Sequence, residues 1–588
     1  MKAEMRYLKW LLDRLRGRRA GQVVIAVALL LALPSLLSPL SMDEYVQAIR
    51  WQSAVEHPTG GGVPRFLNDC FVFASGDEMA NRQEIQDGLG AWWPAPDFKV
   101  AFWRPLSAAT FAPDHALWQG NAVLMHLHTL VWFAALLLAL NALYRRFLPS
   151  PVATLALALY AWDDARGHVL SWVANRDALV AGVFGVLALI AYDRWRRDGW
   201  RPGAWLAPAA LAGALLSAEM GLATAGFLFG YACFVDEGRL WQRLARLAPY
   251  VLVVVAWQVA YSTGAYGVSG SSVYLHPLQE PVAYFAKLLE RAPILALGQL
   301  TPIGADFWGL YPPTGKAIVL LLALAVLIAV GRVSWVRGAD DPGFRFWVVG
   351  AGLALLPISA MGAADRNLVF VGVGVAPALA VVFARAAERP PTSRTARMVV
   401  GTLVVFNLAL APLLLPVKSL TMLGMHQMIA PTEESVPRDA TVRERTLVVV
   451  ALPSEGPLYY TWARREAEGT SKPGTVRILA TSLSAVSVTR VDERTLRVSP
   501  EDGYFASDVH QLLRDPSRDF AQGDTVGLSN MTATVTESTD DGRPVTVEFA
   551  FSAPLESPEW LWTRGKGLGL AAWTPPAVGK TVVVPAAL

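Results

Sequence analysis

Residues 23–45 read VVIAVALLLALPSLLSPLSMDEY. The apolar run from Val23 to Leu40 approaches the roughly 20 residues that cross a bilayer. It stops abruptly at Asp43-Glu44, two adjacent acids at the water edge of the expected span. A carboxylate there stays ionised and still reaches a group held in lipid. Ahead of the run, seven Lys and Arg side chains crowd the first 21 residues. The charged region is long and no small-x-small cleavage site precedes Asp43, so the run is expected to be an uncleaved anchor with a cytoplasmic N-terminus.

Composition points the same way. Of 588 residues, 53% are hydrophobic and 17% charged, with a mean hydropathy of +0.36. Soluble domains carry roughly 25% charge, so much of the chain belongs in lipid. A net charge of +3 is no basis for nucleic-acid binding. The two cysteines, Cys70 and Cys233, fall in an outer loop and an apolar run, and are expected to stay unpaired.

Eleven apolar segments are candidate spans: 22–40, 120–143, 151–162, 177–192, 203–217, 219–235, 247–262, 315–331, 346–362, 367–384 and 398–416. Basic loops follow every second one: Arg145-Arg146, Arg194 to Arg201, Arg239 to Arg246, Arg332 to Arg337 and Arg385 to Arg397. All share a side with the basic N-terminus, as the positive-inside bias requires. The expected fold is a polytopic α-helical membrane protein of about 11 spans over residues 1–430, with everything after Pro416 outside.

Two outer loops are long. Residues 41–119 carry Trp92, Trp93, Phe98, Phe102, Trp103 and Trp118, which suggests segments lying in the membrane interface. Residues 263–314 open with glycines and serines and continue into an amphipathic helix from Pro281, expected on the surface and placed to close over a ligand. Beyond residue 430 long apolar runs stop. Period-two stretches such as Ser484 to Arg490 and Thr532 to Thr536, with a turn at Asp540-Asp541-Gly542, predict an extracytoplasmic β-rich domain of sandwich or barrel type over 431–588.

Ionisable residues at the outer ends of spans are functional candidates because burial there is costly. Asp43 or Glu44 can accept a proton. Arg104, in Phe102-Trp-Arg-Pro-Leu106, suits a phosphate. His126 and His128 project to different sides of a helix and make a poor metal pair. Asp164 lies in a second acidic loop, followed by Asn175-Arg176-Asp177, where Arg176 can hold phosphate and its neighbours shape a pocket. Glu219 and the pair Asp365-Arg366 complete the outer set. No metal-ligand set or cofactor motif stands out, and a divalent metal is left open.

With these residues in view, the chain resembles the GT-C superfamily of membrane glycosyltransferases. It is most similar to the protein O-mannosyltransferase and tetratricopeptide-linked O-mannosyltransferase branch and its bacterial relatives. The likeness is carried by Asp43-Glu44; by Arg104-Pro-Leu-Ser with Ala116 to Asn121 and His126; by Trp172-Val-Ala-Asn-Arg-Asp-Ala-Leu179; by Leu216-Ser-Ala-Glu-Met-Gly-Leu222; and by Asp365-Arg-Asn-Leu368. It departs at Ala218, where that branch has lysine, at Thr129 and Phe133, and in the C-terminal domain. The resemblance implies inverting transfer of a sugar from a polyprenyl-phosphate donor to a glycan, lipid or protein acceptor on the outer face. It implies Asp43 as general base, with Arg104, Arg176 and Arg366 neutralising the leaving phosphate. Two other classes fit the same composition: a non-catalytic membrane scaffold or sensor whose β domain binds a partner, and a lipid-linked sugar transporter. A transporter needs a polar route across the bilayer, and the inner halves of the spans are apolar.

Overall fold

The computed structural model describes residues 2–587 apart from 18, 58, 89, 90, 508, 509, 511, 516 and 517. The protein is mostly helical, and each of the eleven expected segments contains a helix. Among the described residues, seven helices are long and apolar enough to cross a membrane: Ala20–Leu37, Ala122–Phe147, Val173–Asp198, Leu240–Thr263, Pro313–Gly338, Asp365–Glu388 and Arg394–Ser435. This is a membrane protein. Four of the expected spans are helices too short to cross a bilayer by themselves: Ser150–Ala161, Gly203–Leu215, Ala223–Phe234 and Pro342–Ile358. The first two stop at polar turns, Asp163-Asp164 and Ser217-Ala218-Glu219, whose side chains compete with the helical backbone.

Burial ranks the helices. In the apolar stretch of Asp365–Glu388, 94% of residues are buried, against 11% in Pro313–Gly338. The first is the centre of the bundle and the second faces lipid. Small residues allow the central packing: a Cβ on Gly374 would meet the Trp347 carbonyl oxygen at 2.4 Å, so the helices approach more closely there than any side chain permits.

The two ends of the bundle differ chemically. At the C-terminal ends of Ala122–Phe147 and Val173–Asp198, Arg146 pairs with Asp193 and Asp198, and Arg196 and Arg246 both pair with Asp236. Arg176 and Asp177 stand at the other end of the same helix, Arg176–Asp198, whose 23 residues span about 34 Å at 1.5 Å per residue. That separation matches the bilayer core. The helix Pro281–Leu300 runs from surface to interior: Val282, Phe285 and Leu289 are exposed, while Ile294, Leu295 and Leu297 are buried.

Three short strands tie the outer loops together: β1 (Val72–Ser75), β2 (Lys99–Ala101) and β3 (Gly267–Ser269) form one antiparallel sheet. The C-terminal region holds two sheets. β4 (Thr446–Leu452), β5 (Thr475–Thr481), β11 (Trp560–Lys566) and β12 (Gly569–Ala572) are ordered β12-β11-β4-β5. β6 (Val486–Arg490), β7 (Thr495–Pro500), β8 (Thr525–Gly527), β9 (Met531–Ser538), β10 (Pro544–Phe551) and β13 (Thr581–Val584) make an antiparallel sheet ordered β13-β6-β7-β10-β9-β8. β4 pairs in parallel with both β5 and β11, and the helix Gly456–Ala467 crosses between β4 and β5. The expected sandwich or barrel is therefore a mixed arrangement with a βαβ unit. The reason lies in β4: every residue from Thr446 to Leu452 is buried, the pattern of a strand covered on both faces.

Trp92 and Trp93 do not lie in the membrane interface. They are 3% and 2% exposed, inside the core of the C-terminal region. Trp92 donates its Nε1–H to the Leu479 carbonyl at 3.2 Å and packs edge-on against Tyr504, Phe520 and Phe549. Gly88 (φ +80°) lets the first outer loop approach β5, because a Cβ there would meet the Val476 oxygen at 2.5 Å. Arg477 of β5 donates to the Ile85 and Gln86 carbonyls. The outer loop is thus a component of the C-terminal fold and holds it over the bundle. Cys70 and Cys233 are free.

Candidate active-site cavity

The chain leaves the first span through Ser38 to Ser41 and turns at Met42, whose φ of 57° is unusual for a residue with a side chain. Strain of this kind costs on the order of 1–3 kcal/mol. Here it starts the helix Asp43–Trp51 so that two adjacent acids point to different places. Asp43 lines a cavity of about 510 Å³ and accepts a hydrogen bond from the Tyr460 hydroxyl at 3.1 Å. Burial pushes the Asp43 carboxyl up to about 6; Arg366, the Tyr460 hydrogen bond and Arg104 pull the other way. A carboxylate so poised exchanges protons near neutral pH.

Glu44 turns away from the cavity. It is 3% exposed and accepts from the backbone amides of Ser41 and Ala174, each at 3.1 Å. Burial raises its carboxyl to about 8 against those amide bonds. Glu44 joins two segments of backbone, so it neither faces water nor stands where an acceptor would bind.

The cavity wall repeats one device. Three short 3₁₀ turns, Val173–Asn175, Glu219–Leu222 and Asp365–Leu368, each lead into a helix. Asn175, Asp177, Met220, Arg366 and Asn367 line the cavity from these turns and the helix starts they feed. Each of these helix starts carries an acid in its first turn, Asp177, Glu219 and Asp365, which offsets the positive helix end.

Arg104 precedes Pro105, which opens the helix Pro105–Trp118. Its guanidinium pairs with Asp177 and Glu219, both at 2.6 Å, above the Phe102 ring. Burial opposes its charge, yet Glu219 and Asp177 outweigh burial and raise its pKa. Glu219 is held in turn by the Tyr261 hydroxyl at 3.2 Å. Two carboxylates on one arginine leave this triad net negative, so Arg104 is not available as a simple phosphate clamp. Arg366 differs. It lies over the Trp172 ring at 4.5 Å, and among the described residues no ion pair with a carboxylate involves it.

Several expected site residues stand behind the cavity. Arg176 is fully buried, bonded to Asp114 at 2.6 Å and to the carbonyls of Thr110 and Met125 and the Thr129 hydroxyl. Its donors are used, so it braces helices and does not reach a ligand. His126 faces the Ser38 carbonyl at 3.1 Å, away from the cavity. Asp164 and Asp365 share Lys418, each at 2.6 Å, and Asp365 also accepts from the Ala305 amide. This buried network joins the last span to two turns. Of the expected residues, Asp43, Arg104, Asn175, Asp177 and Arg366 meet in one cavity.

Sequence reading missed the far wall. Glu455, Tyr459 and Tyr460, at the start of the crossover helix Gly456–Ala467, also line the cavity. Nothing local marks them, because they arrive from another domain. Lys418 carried a usable signal: a lone lysine at the end of an apolar run is costly without acidic partners. Among the described residues, no group of three or more His, Cys, Asp or Glu side chains stands together to hold a metal ion.

The fold and cavity define a polytopic membrane protein with a charged pocket between its bundle and an appended β-rich domain. No family model and no curated protein matches the sequence. Among solved structures, the chain is similar to the oligosaccharyltransferase of Archaeoglobus fulgidus, in complex with Zn and sulfate, at 12% identity and a TM-score of 0.36, covering 77% of this chain. It spans 62% of that protein's length. It is also similar to ArnT from Cupriavidus metallidurans bound to undecaprenyl phosphate, at 13% identity and a TM-score of 0.37, covering 79% of this chain and 90% of that one. The overlap is loose in both, and the chemistry of the cavity is read from this chain's own residues.

Proposed function

We propose that the protein is an inverting glycosyltransferase that moves a sugar from a polyprenyl-phosphate donor to a hydroxyl acceptor on the outer face of the bacterial cytoplasmic membrane. The observation that carries this is one cavity in which the Asp43 carboxylate, raised to about 6 and hydrogen-bonded by Tyr460, stands with Arg366, a cation that has no carboxylate ion pair among the described residues. In the reaction, Asp43 takes the proton of the acceptor hydroxyl as its oxygen bonds to the anomeric carbon. The bond from that carbon to the phosphate oxygen breaks, and its electron pair leaves with the polyprenyl phosphate. The transition state resembles an oxocarbenium ion with a departing anion. Arg366 stabilises that anion. The Arg104–Asp177–Glu219 triad, net negative, faces the cationic ring carbon instead. The donor's lipid tail accounts for a site set at the edge of the spans.

The test is Asp43→Asn in the full chain, assayed by mass spectrometry of envelope glycans and by transfer of labelled sugar from a polyprenyl-phosphate donor. Loss of the base is expected to cost roughly 10²–10⁴ in rate. Unchanged glycan in a well-folded variant rules the transferase reading out and returns the protein to a scaffold role.

A further inference from the structure

The C-terminal domain supplies one wall of the cavity. Glu455 is 5% exposed, lines the cavity, and has a carboxylate oxygen, Oε2, without a hydrogen-bond partner. Among the described residues no cation pairs with it. Buried polar groups are nearly always satisfied, so an orphaned carboxyl oxygen beside the cavity asks for a donor that the described residues do not supply. Four residues on, one turn along the helix Gly456–Ala467 that Glu455 precedes, Tyr459 lines the same cavity and is 41% exposed. Glu84 faces it from the first outer loop, and Phe98 adds a second aromatic ring. The next residue, Tyr460, bonds the general base at 3.1 Å.

We infer that Glu455, Tyr459 and Glu84 form the acceptor subsite of this cavity, and that it takes a sugar ring through its hydroxyl groups. The inference rests on the transferase reading above and names its acceptor class. A carboxyl group accepts hydrogen bonds in either protonation state, and a sugar ring offers several hydroxyl donors along its edge. Its carbon-bound hydrogens form apolar faces that lie against aromatic rings. A wall of two carboxyl groups with the exposed Tyr459 ring and the half-buried Phe98 ring supplies both. An extended peptide would ask for an open strand edge, and this wall is built from side chains of a helix and a loop. Tyr459, Tyr460 and Asp43 line one cavity, so a ring seated on Tyr459 shares that cavity with the base.

The test uses the full-length protein in lipid nanodiscs and saturation-transfer NMR. The probes are methyl α-mannopyranoside, methyl β-glucopyranoside and methyl α-arabinofuranoside, with acetyl-Ala-Thr-Ala-amide as the peptide probe. At least one glycoside is expected to receive saturation, and Glu455→Ala and Tyr459→Ala are each expected to weaken its titrated affinity at least fivefold. Tyr459 is an exposed position, so its variant keeps the test decisive if Glu455→Ala lowers the melting temperature. Three results overturn the inference: no glycoside receives saturation, the tripeptide alone does, or a folded Tyr459→Ala binds glycoside as the parent does. The two readings fail separately. Asp43-dependent transfer without glycoside binding removes the subsite alone. Glu455-dependent glycoside binding with glycan unaffected by Asp43→Asn removes the transferase alone.

Discussion

Replacing Tyr460 with Phe removes one hydroxyl and keeps the ring in the cavity wall. That hydroxyl donates to Asp43 Oδ1 at 3.1 Å, and a donor to a carboxylate favours its charged form. A hydrogen bond to a charged group contributes about 1.5–3 kcal/mol, and 3.1 Å is long for an O–H to carboxylate contact, so the low end applies. At 1.36 kcal/mol per pKa unit, losing it raises the Asp43 carboxyl by about one unit. Its titration moves from about 6 to roughly 7, which the same conversion gives. In the proposed reaction the ionised form is the active one, so activity is expected to rise with pH through this titration. The variant is therefore expected to lose about fivefold in kcat/KM at pH 6 and less than twofold at pH 8.5, because the ionised fraction follows the shifted pKa. The assay is a pH–rate profile of sugar transfer for both proteins, with melting temperatures measured alongside. Other charges near Asp43 stay in place: Arg366, Arg104 and Asp177 are not touched by the change. An acid limb that does not move refutes Tyr460 as the positioning group. A uniform loss at every pH assigns it to packing instead.

Arg366 and Arg176 are expected to separate function from stability. Arg366→Ala should accumulate normally and lose roughly 10²–10³ in kcat, the scale for removing a preorganised stabilising group; Arg366→Lys should recover part of it. Arg176→Ala leaves Asp114 buried without its cation, a change that costs about 3–5 kcal/mol, so the protein should fail to accumulate in membranes. Trp92→Ala should cost about 3–5 kcal/mol in the C-terminal region, read as a lower melting transition and faster proteolysis beyond residue 430. Because that region supplies Tyr460, transfer should fall with it; an unshifted transition would remove Trp92 as the fastener.

The bundle was legible in the sequence because membrane insertion is a local rule. A stretch of apolar residues either spans hydrocarbon or does not, and the basic loops repeat on one side. All eleven segments contain helices, although four are too short to meet the spanning length. The acids and arginines at outer ends were equally visible, because charge is rare in such segments and costly to bury. Which of them share a cavity was not visible. Asp43 and Glu44 are adjacent, yet a positive φ at Met42 turns one toward the cavity and the other into backbone amides. Arg176 and Asp177 are adjacent, yet one braces helices and the other pairs with Arg104 in the wall. Neighbours on a helix point about 100° apart, so spacing along the chain cannot say which one faces a ligand.

By itself the sequence determined a membrane chain with acids and cations at the outer ends of its helices and a β-rich region after them. Only the tertiary structure decided that Trp92, read as a membrane-interface residue, is core to a domain nearly 400 positions away. Only it decided that this domain brings Tyr460 to Asp43. The physical reason is range. Hydropathy and charge act residue by residue, whereas a cavity wall is made by contacts between segments whose meeting depends on how the whole chain packs.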